Sequence, residues 1–126
     1  MSGLNEETIH RVLQQIQVQL QKSRKELSLV NAQILAKERE RKMLQLTVRQ
    51  LGDVPSEESV RMYKGVGKMF LLQPRSTLEE AHSTEEAALS DEITNLTKKA
   101  KYLQKQFDDA NSQMKDIFHS QRLRED

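Results

Sequence analysis

Apolar residues recur at a regular spacing in two long segments of the chain. In the first, residues 5–51, steps of four and three residues alternate, and ten of thirteen stripe positions are apolar: Ile9, Leu13, Ile16, Leu20, Ser23, Leu27, Val30, Ile34, Lys37, Arg41, Leu44, Val48 and Leu51. A mean spacing of 3.5 residues keeps such a stripe against a partner helix in a left-handed supercoil. The pattern therefore predicts a long coiled-coil helix over residues 5–51.

The second segment, residues 77–122, carries the same pattern. Its stripe is clear from Leu89 onward and continues with the same alternation: Ile93, Leu96, Ala100, Leu103, Phe107, Ala110, Met114 and Ile117. Between His82 and Glu86 the apolar stripe is weak, so a loose or bent helix is expected there. The segment as a whole predicts a second coiled-coil helix.

Capping residues predict where the two helices end and begin. Gly52 suits the position just past a helix C-terminus, and Pro55 cannot continue a helix because it lacks the backbone N–H. Ser76 and Glu79 have the spacing of a capping box, with Ser76 as the cap. The second helix is therefore predicted to begin at Thr77.

The segment between the helices has the composition of a β-hairpin. Residues 60–73 are rich in β-forming and bulky apolar side chains, and Gly65 and Gly67 permit the positive φ angle of a tight reversal. We expect one strand at Val60–Lys64 and the other at Lys68–Gln73.

Two helical segments of similar length around one reversal favour antiparallel pairing. Facing residues then have numbers that add up to about 128, which places Lys37 beside Asp91 and Arg41 beside Glu86. Polar residues in a seam cost stability but fix the register. The predicted fold is mainly α, a long antiparallel two-helix coiled coil with one β-hairpin at the bend, in one domain over residues 1–126.

The predicted hairpin carries more apolar surface than one chain is expected to cover. Met69–Leu72 are four consecutive large apolar residues, so alternation along a strand places apolar side chains on both faces. An isolated two-stranded hairpin is marginally stable in water, and its open edges favour pairing with further strands. We expect association through the hairpin; the alternative is that Phe70 and its neighbours only close the end of the coiled coil.

The segment Met62–Gln73, MYKGVGKMFLLQ, lies between two coiled-coil arms and resembles the hairpin signature of β-type prefoldin subunits. Residues 52–76 leave room for one hairpin, whereas α-type subunits carry two. The resemblance implies a heterohexamer with two α-type and three further β-type subunits, whose hairpins form an oligomeric β-barrel platform. The implied assembly residues are Met62, Tyr63, Val66, Met69, Phe70, Leu71 and Leu72.

The resemblance also implies a function. Prefoldin is an ATP-independent co-chaperone that captures unfolded or nascent proteins, notably actin and tubulin, at the tips of its coiled coils. It transfers them to the cytosolic group II chaperonin. No cofactor or catalytic residue is implied.

Apolar residues near both chain ends exceed what one seam requires, and both ends are predicted to lie far from the hairpin. If these apolar residues are exposed at the chain ends, they are suited to bind non-native proteins, because such proteins expose apolar groups themselves. The candidate client-binding residues are Leu4, Ile9, Val12, Leu13, Ile16, Met114, Ile117, Phe118 and Leu123. Packing within the local seam is the competing interpretation, and it is favoured for Ile9, Leu13 and Met114.

Composition narrows the possible functions. The chain has 20 basic and 19 acidic residues and a net charge of +1, so no strong field attracts nucleic acid or an anionic membrane. It has no cysteine for a disulfide, a thiolate nucleophile or a zinc–thiolate site. Residues 1–7 lack the basic start and apolar core of a secretory signal, so no such signal is expected. No apolar run in the sequence approaches the roughly 20 residues that cross a bilayer.

We therefore expect a cytoplasmic protein without enzymatic activity, and a nuclear pool remains open. No phosphate-binding loop or arranged catalytic set is recognisable. The alternative function is a coiled-coil tether or scaffold subunit that docks through its hairpin.

Overall fold

A computed structural model describes residues 6–57 and 60–125 of the chain. The elements are, in chain order, α1 (Glu6–Gly52), β1 (Met62–Val66), β2 (Met69–Gln73) and α2 (Arg75–Glu125). Two long helices with one antiparallel hairpin between them confirm the predicted fold class. Over the described residues, neither helix contains a stretch that is long and apolar enough to cross a membrane.

The chain divides into two compact units, and each contains part of both helices. The terminal unit comprises α1 up to Gln33 together with α2 from Leu96 onward. The hairpin unit comprises residues 34–95, which include both strands.

The core of the terminal unit is a seam between the two helices. Its buried apolar residues are Ile9, Ile16, Val30, Leu103 and Ala110. The stripe positions between them, such as Leu20 and Phe107, are half-buried, and Ser23 is the one polar stripe residue there and is buried. Burial that follows steps of four and three residues is what coiled-coil packing requires, because each stripe residue inserts between residues of the facing helix.

The core of the hairpin unit includes polar residues at stripe positions. Its buried apolar residues are Leu44, Met62, Leu78, Leu89 and Ile93. Lys37 and Arg41 are half-buried at their stripe positions, whereas Val48 is exposed. Between buried Leu78 and Leu89 of α2, the half-buried positions include the polar residues His82 and Glu86, so the seam of this unit is only partly apolar.

Helix α2 is continuous where its apolar stripe is weak. His82 and Glu86 are half-buried, and every residue between them is helical. Of the expected loose or bent helix, the loose form is wrong, because the helix is maintained by its own backbone hydrogen bonds even where the stripe is polar. A bend there stays a prediction.

The hairpin reverses at Gly67 and Lys68. Strand pairing runs from Met62 opposite Gln73 to Val66 opposite Met69, which leaves a two-residue turn. Gly67 has a φ of 62°, and a positive φ at the first turn residue alone indicates a type II′ turn.

The first strand lies two residues closer to the C-terminus than predicted, whereas the second begins one residue later and ends at Gln73 as predicted. The prediction of a first strand at Val60–Lys64 is wrong at both ends, and Lys68 belongs to the turn. The reversal needs a positive φ only at Gly67, so Gly65 is free to continue the first strand.

Helix α2 begins at Arg75, before the predicted start. The carbonyl oxygen of Pro74 accepts a hydrogen bond from the Leu78 N–H at 3.2 Å, which makes Pro74 the N-cap. The predicted capping box is wrong, since Ser76 lies within the first turn and the Glu79 carboxylate binds the Arg75 guanidinium at 2.9 Å. Proline is tolerated here because the first N–H groups of a helix have no intrahelical acceptor.

Candidate functional site

The β-hairpin exposes large apolar side chains. Six of the predicted assembly residues are exposed: Tyr63, Val66, Met69, Phe70, Leu71 and Leu72. Phe70 is the most exposed of them, at 75%. Met62, by contrast, is 8% exposed and packs in the core of the hairpin unit. It therefore offers little surface to another chain.

The register divides these side chains between two faces of the hairpin. One face carries Tyr63, Gly65, Phe70 and Leu72, and the other carries Lys64, Val66, Met69 and Leu71. Phe70 is directly opposite Gly65, and a Cβ on that glycine would lie 3.8 Å from Cε1 of the ring. The aromatic ring therefore covers the glycine backbone and leaves its outer surface exposed.

The edges of the sheet are open as well as its faces. Within the described residues the sheet consists of β1 and β2 only, so the outward backbone groups of both strands have no partner strand. Beside the base of the hairpin, a groove of about 500 Å³ is lined in part by Val60, Met62 and Leu72. Open edges and apolar faces together make the hairpin a surface that further strands would complete.

Arg75 connects the end of α1 to the start of α2, a role that sequence reasoning missed. Its guanidinium donates hydrogen bonds to the carbonyl oxygens of Leu51 at 2.7 Å, Val54 at 3.0 Å and Pro55 at 3.3 Å. The last carbonyls of a helix have no intrahelical donor, and a cation there also interacts favourably with the helix dipole. Arg75 therefore holds together the two chain segments from which the hairpin projects.

A polar contact in the hairpin unit differs by one residue from the prediction. Lys37 Nζ lies 2.9 Å from Glu92 Oε2, whereas Asp91 was the predicted partner. Asp91 occupies the outermost heptad position, but Glu92 adjoins the seam residue Ile93 and therefore borders α1. The hydrogen bond to Glu92, together with the charges of Glu40 and Glu92, raises the pKa of Lys37 above its ordinary value of 10.5.

Glu86 also has a different partner from the predicted Arg41. The Gln45 Nε2 group donates a hydrogen bond to Glu86 Oε1 at 3.0 Å. Gln45 lies one turn closer to the C-terminus of α1 than Arg41 and borders the seam, so its long side chain reaches the carboxylate. Both observed contacts join α1 to α2 and help to fix their register.

The candidate client-binding residues divide by exposure. Phe118 and Leu123 are exposed, at 50% and 63%, and Leu4 lies outside the described residues. Val18 is also exposed but was not among the predicted residues. Its position outside the apolar stripe could have indicated this exposure. The remaining candidates are buried or half-buried in the seam: Ile9, Val12, Leu13, Ile16, Met114 and Ile117.

The seam thus uses most of the predicted client-binding residues that the structure describes, whereas Leu29 and Tyr102, which were not predicted, are exposed as well. Among the described residues, no group of histidine, aspartate and glutamate side chains is arranged to hold a metal ion.

Comparison with known proteins finds matches along most of the chain. A family model described as "Prefoldin subunit" matches residues 14–121. Prefoldin subunit 1 of Danio rerio is 25% identical over 114 residues, which cover 90% of this chain and 92% of the relative. Prefoldin subunit 1 of Saccharomyces cerevisiae is 30% identical over 94 residues, which cover 75% and 84%. A probable prefoldin subunit 1 of Schizosaccharomyces pombe is 34% identical over 88 residues, which cover 70% and 77%. The family match spans the hairpin and most of both helices.

Proposed function

This chain belongs to the prefoldin subunit family, and from that premise we propose that it joins a heterohexamer through its hairpin, with two α-type and three further β-type subunits. The family is a chaperone family whose members assemble with one another. In the proposed assembly, the hairpins of the six subunits form a β-barrel platform. The observation that carries this proposal is the exposed, apolar, open-edged hairpin.

Burial of the hairpin side chains supplies the driving force. Complete burial of one Phe or Leu side chain contributes about 1.5–3 kcal/mol, and Phe70, Leu71 and Leu72 are each at least 47% exposed in the single chain. Strand addition at the open edges provides backbone hydrogen bonds and fixes the register between subunits. Together these contributions favour stable association over transient contact.

We further propose that the terminal unit captures unfolded or nascent proteins without ATP, in the cytoplasm, and releases them to the group II chaperonin. Actin and tubulin are the proposed clients. Exposed Phe118, Leu123 and Val18 offer weak apolar contacts, and several subunits acting on one client would multiply them through avidity. Half-buried Met114 adds a flexible side chain that adapts to varied partners.

The first experiment tests assembly. The chain is co-expressed with candidate α-type and β-type subunits, and the product is measured by native mass spectrometry. A six-chain complex is expected. A well-ordered monomer whose residues 63–72 are protected from hydrogen exchange would contradict the proposal, since the hairpin would then need no partner.

The second experiment tests client capture. The complex should suppress aggregation of a denatured protein in the absence of ATP. Removal of residues 1–12 and 115–126 should preserve the hexamer and weaken that suppression. If the truncated complex suppresses aggregation as well as the full one, residues 1–12 and 115–126 are not the client site.

A tether or scaffold subunit is the second candidate function. The seam supports it, because Ile9 and Ile16 are packed between the helices and leave little apolar surface for clients. A tether would bind one folded partner and would leave the aggregation of denatured proteins unchanged, so the same aggregation measurement separates the two functions.

A further inference from the structure

The hairpin unit has a second exposed apolar surface, on the side of α1 opposite the seam. Leu35, Met43 and Leu46 are 56%, 70% and 54% exposed. Spacings of eight and three residues place them in one stripe along a helix of 3.6 residues per turn. We call this stripe, with the cations beside it, the α1 outer face. A two-helix coiled coil requires no large apolar side chains at these positions.

Three cations accompany these apolar residues. Arg39, Lys42 and Arg49 are exposed and share the outward positions of the helix. None of them forms an ion pair with a residue that the structure describes. The acidic residues of the same stretch, Glu38 and Glu40, flank the seam instead, so the α1 outer face is apolar and positively charged throughout.

We propose that the α1 outer face binds an acidic helix of a neighbouring subunit. Apolar side chains in a single helical stripe suit the ridge-and-groove packing of another helix. The unpaired cations favour a partner that carries carboxylates, since opposite charges on both sides of an interface speed association and fix its register. The face lies in the same unit as the hairpin, so it would extend the hairpin interface.

The second helix of this chain illustrates what such a partner looks like. Between Arg75 and Asn95, α2 contains one cation and six acidic residues. Glu79, Glu86 and Glu92 bind Arg75, Gln45 and Lys37 of the same chain, which leaves the exposed Glu80, Glu85 and Asp91 for another subunit. Small residues occupy several of its outward positions, among them Ala81 and Ala88, and they leave room for large side chains of another helix.

A related subunit with the same layout would present such a helix beside α1. The contact between Lys37 and Glu92 places the neighbouring residues Arg39 and Asp91 at about the same distance from the hairpin. Two subunits joined hairpin to hairpin and pointing the same way would therefore align cations of one with carboxylates of the other. This inference rests on the proposed assembly and adds to it a second contact surface.

Photo-crosslinking in the reconstituted complex tests the inference. A photoreactive amino acid replaces Leu46, which is 54% exposed, and the control replaces Val18, which is 65% exposed but lies in the terminal unit. The Leu46 probe should crosslink to one other subunit, and peptide mapping should place the crosslink on an acidic stretch of its second helix. The Val18 probe should give no such product.

Charge reversal provides the second arm. R39E combined with R49E should reduce the crosslink yield from position 46 by about fivefold to tenfold. K22E combined with K25E, a reversal of two exposed cations in the terminal unit, should leave that yield unchanged.

The outcomes are distinguishable. If the six-chain complex forms but the Leu46 probe captures only a client, a nucleic acid or nothing, the α1 outer face is not a subunit contact. If the wild-type chain forms no complex with other subunits, native mass spectrometry shows this before any crosslinking, and the proposed assembly fails together with the inference.

Discussion

The terminal unit and the hairpin unit differ in how far their apolar side chains are exposed to solvent. In the terminal unit, Ile16, Val30 and Leu103 are buried between the two helices, and that part of the chain satisfies its own packing. In the hairpin unit, Phe70 and Leu72 project from an open sheet into solvent. One chain thus combines a seam that is packed within the subunit with a sheet whose faces and edges are left open.

The two units also differ in how their helices are connected. In the hairpin unit, the side chains of Lys37, Gln45 and Arg75 reach across to residues far away in the sequence. In the terminal unit, the ion pair of Glu7 with Arg11 joins neighbours on one helix and contributes little because both side chains are exposed. These contacts between distant residues join α1 to α2 within the hairpin unit.

The largest effect is expected when the hairpin surface is altered. F70D should weaken assembly by about a thousandfold, because it removes an aromatic anchor and places a charge where an interface would exclude water. Helix content should stay unchanged, since the ring lies outside both helical seams. Native mass spectrometry measures the six-chain fraction, and circular dichroism measures the helices.

V18D is the matched control for F70D. It introduces the same charge at an exposed apolar position of the terminal unit and should leave assembly intact. Equal loss of assembly in both variants would mean that association does not depend on the hairpin.

The next effect concerns the seam of the terminal unit. L103A should lower the free energy of unfolding by about 2–4 kcal/mol, because Leu103 is almost fully buried and the smaller side chain leaves a cavity. Thermal unfolding followed by circular dichroism measures this. L123A removes an exposed leucine and should change the stability by less than about 0.5 kcal/mol. Assembly at low temperature should survive in L103A, and its loss would contradict the separation between the two units.

The seam could be predicted because it depends on sequence spacing alone. Buried residues such as Ile16 and Leu103 fall where the alternation of four and three residues places them. The hairpin was predictable from composition, but its register was not, since Gly65 and Gly67 are both able to form a turn. Only the backbone geometry shows that Gly67 has the positive φ.

Contacts between distant residues were harder to predict. The prediction for Lys37 used residue numbers, whereas the heptad position decides that Glu92 and not Asp91 faces α1. Arg75 carries no motif, and its three carbonyl acceptors come together only after α1 has ended and the chain has reversed. Among the candidate client-binding residues, spacing identified the seam members but not which apolar side chains would stay exposed.

A smaller effect is expected at the junction of the helices. R75M removes the hydrogen-bond donor to three carbonyl oxygens and should lower the free energy of unfolding by about 1–3 kcal/mol. Because the Arg75 side chain is partly exposed, we expect a value near the lower end of this range. Hydrogen exchange should accelerate in residues 49–57. R61M, a change at an exposed arginine close by, should alter neither quantity. Equal exchange in R75M and the wild type would show that the loop holds its shape without the guanidinium.

The smallest effect is expected at the contact between Lys37 and Glu92, and it tests whether the hairpin unit sets the helix register. In a double-mutant cycle of thermal stability, K37Q and E92Q should be non-additive, because each change removes the same hydrogen bond. The matched cycle of K37Q with D91N should be additive, since Asp91 points away from α1. Coupling to Asp91 instead would restore the pairing predicted from residue numbers.

The same contact has a defined pH dependence. The folded chain holds the pKa of Lys37 above its ordinary value through Glu92 first and Glu40 second, so folding favours the protonated amine. Its contribution is complete below the ordinary pKa and is lost as the pH rises through the higher pKa of the folded state. The difference in melting temperature between the wild type and K37Q should therefore be constant near neutral pH and shrink only in strongly alkaline solution. A difference that disappeared on acidification alone would assign the effect to the carboxylates.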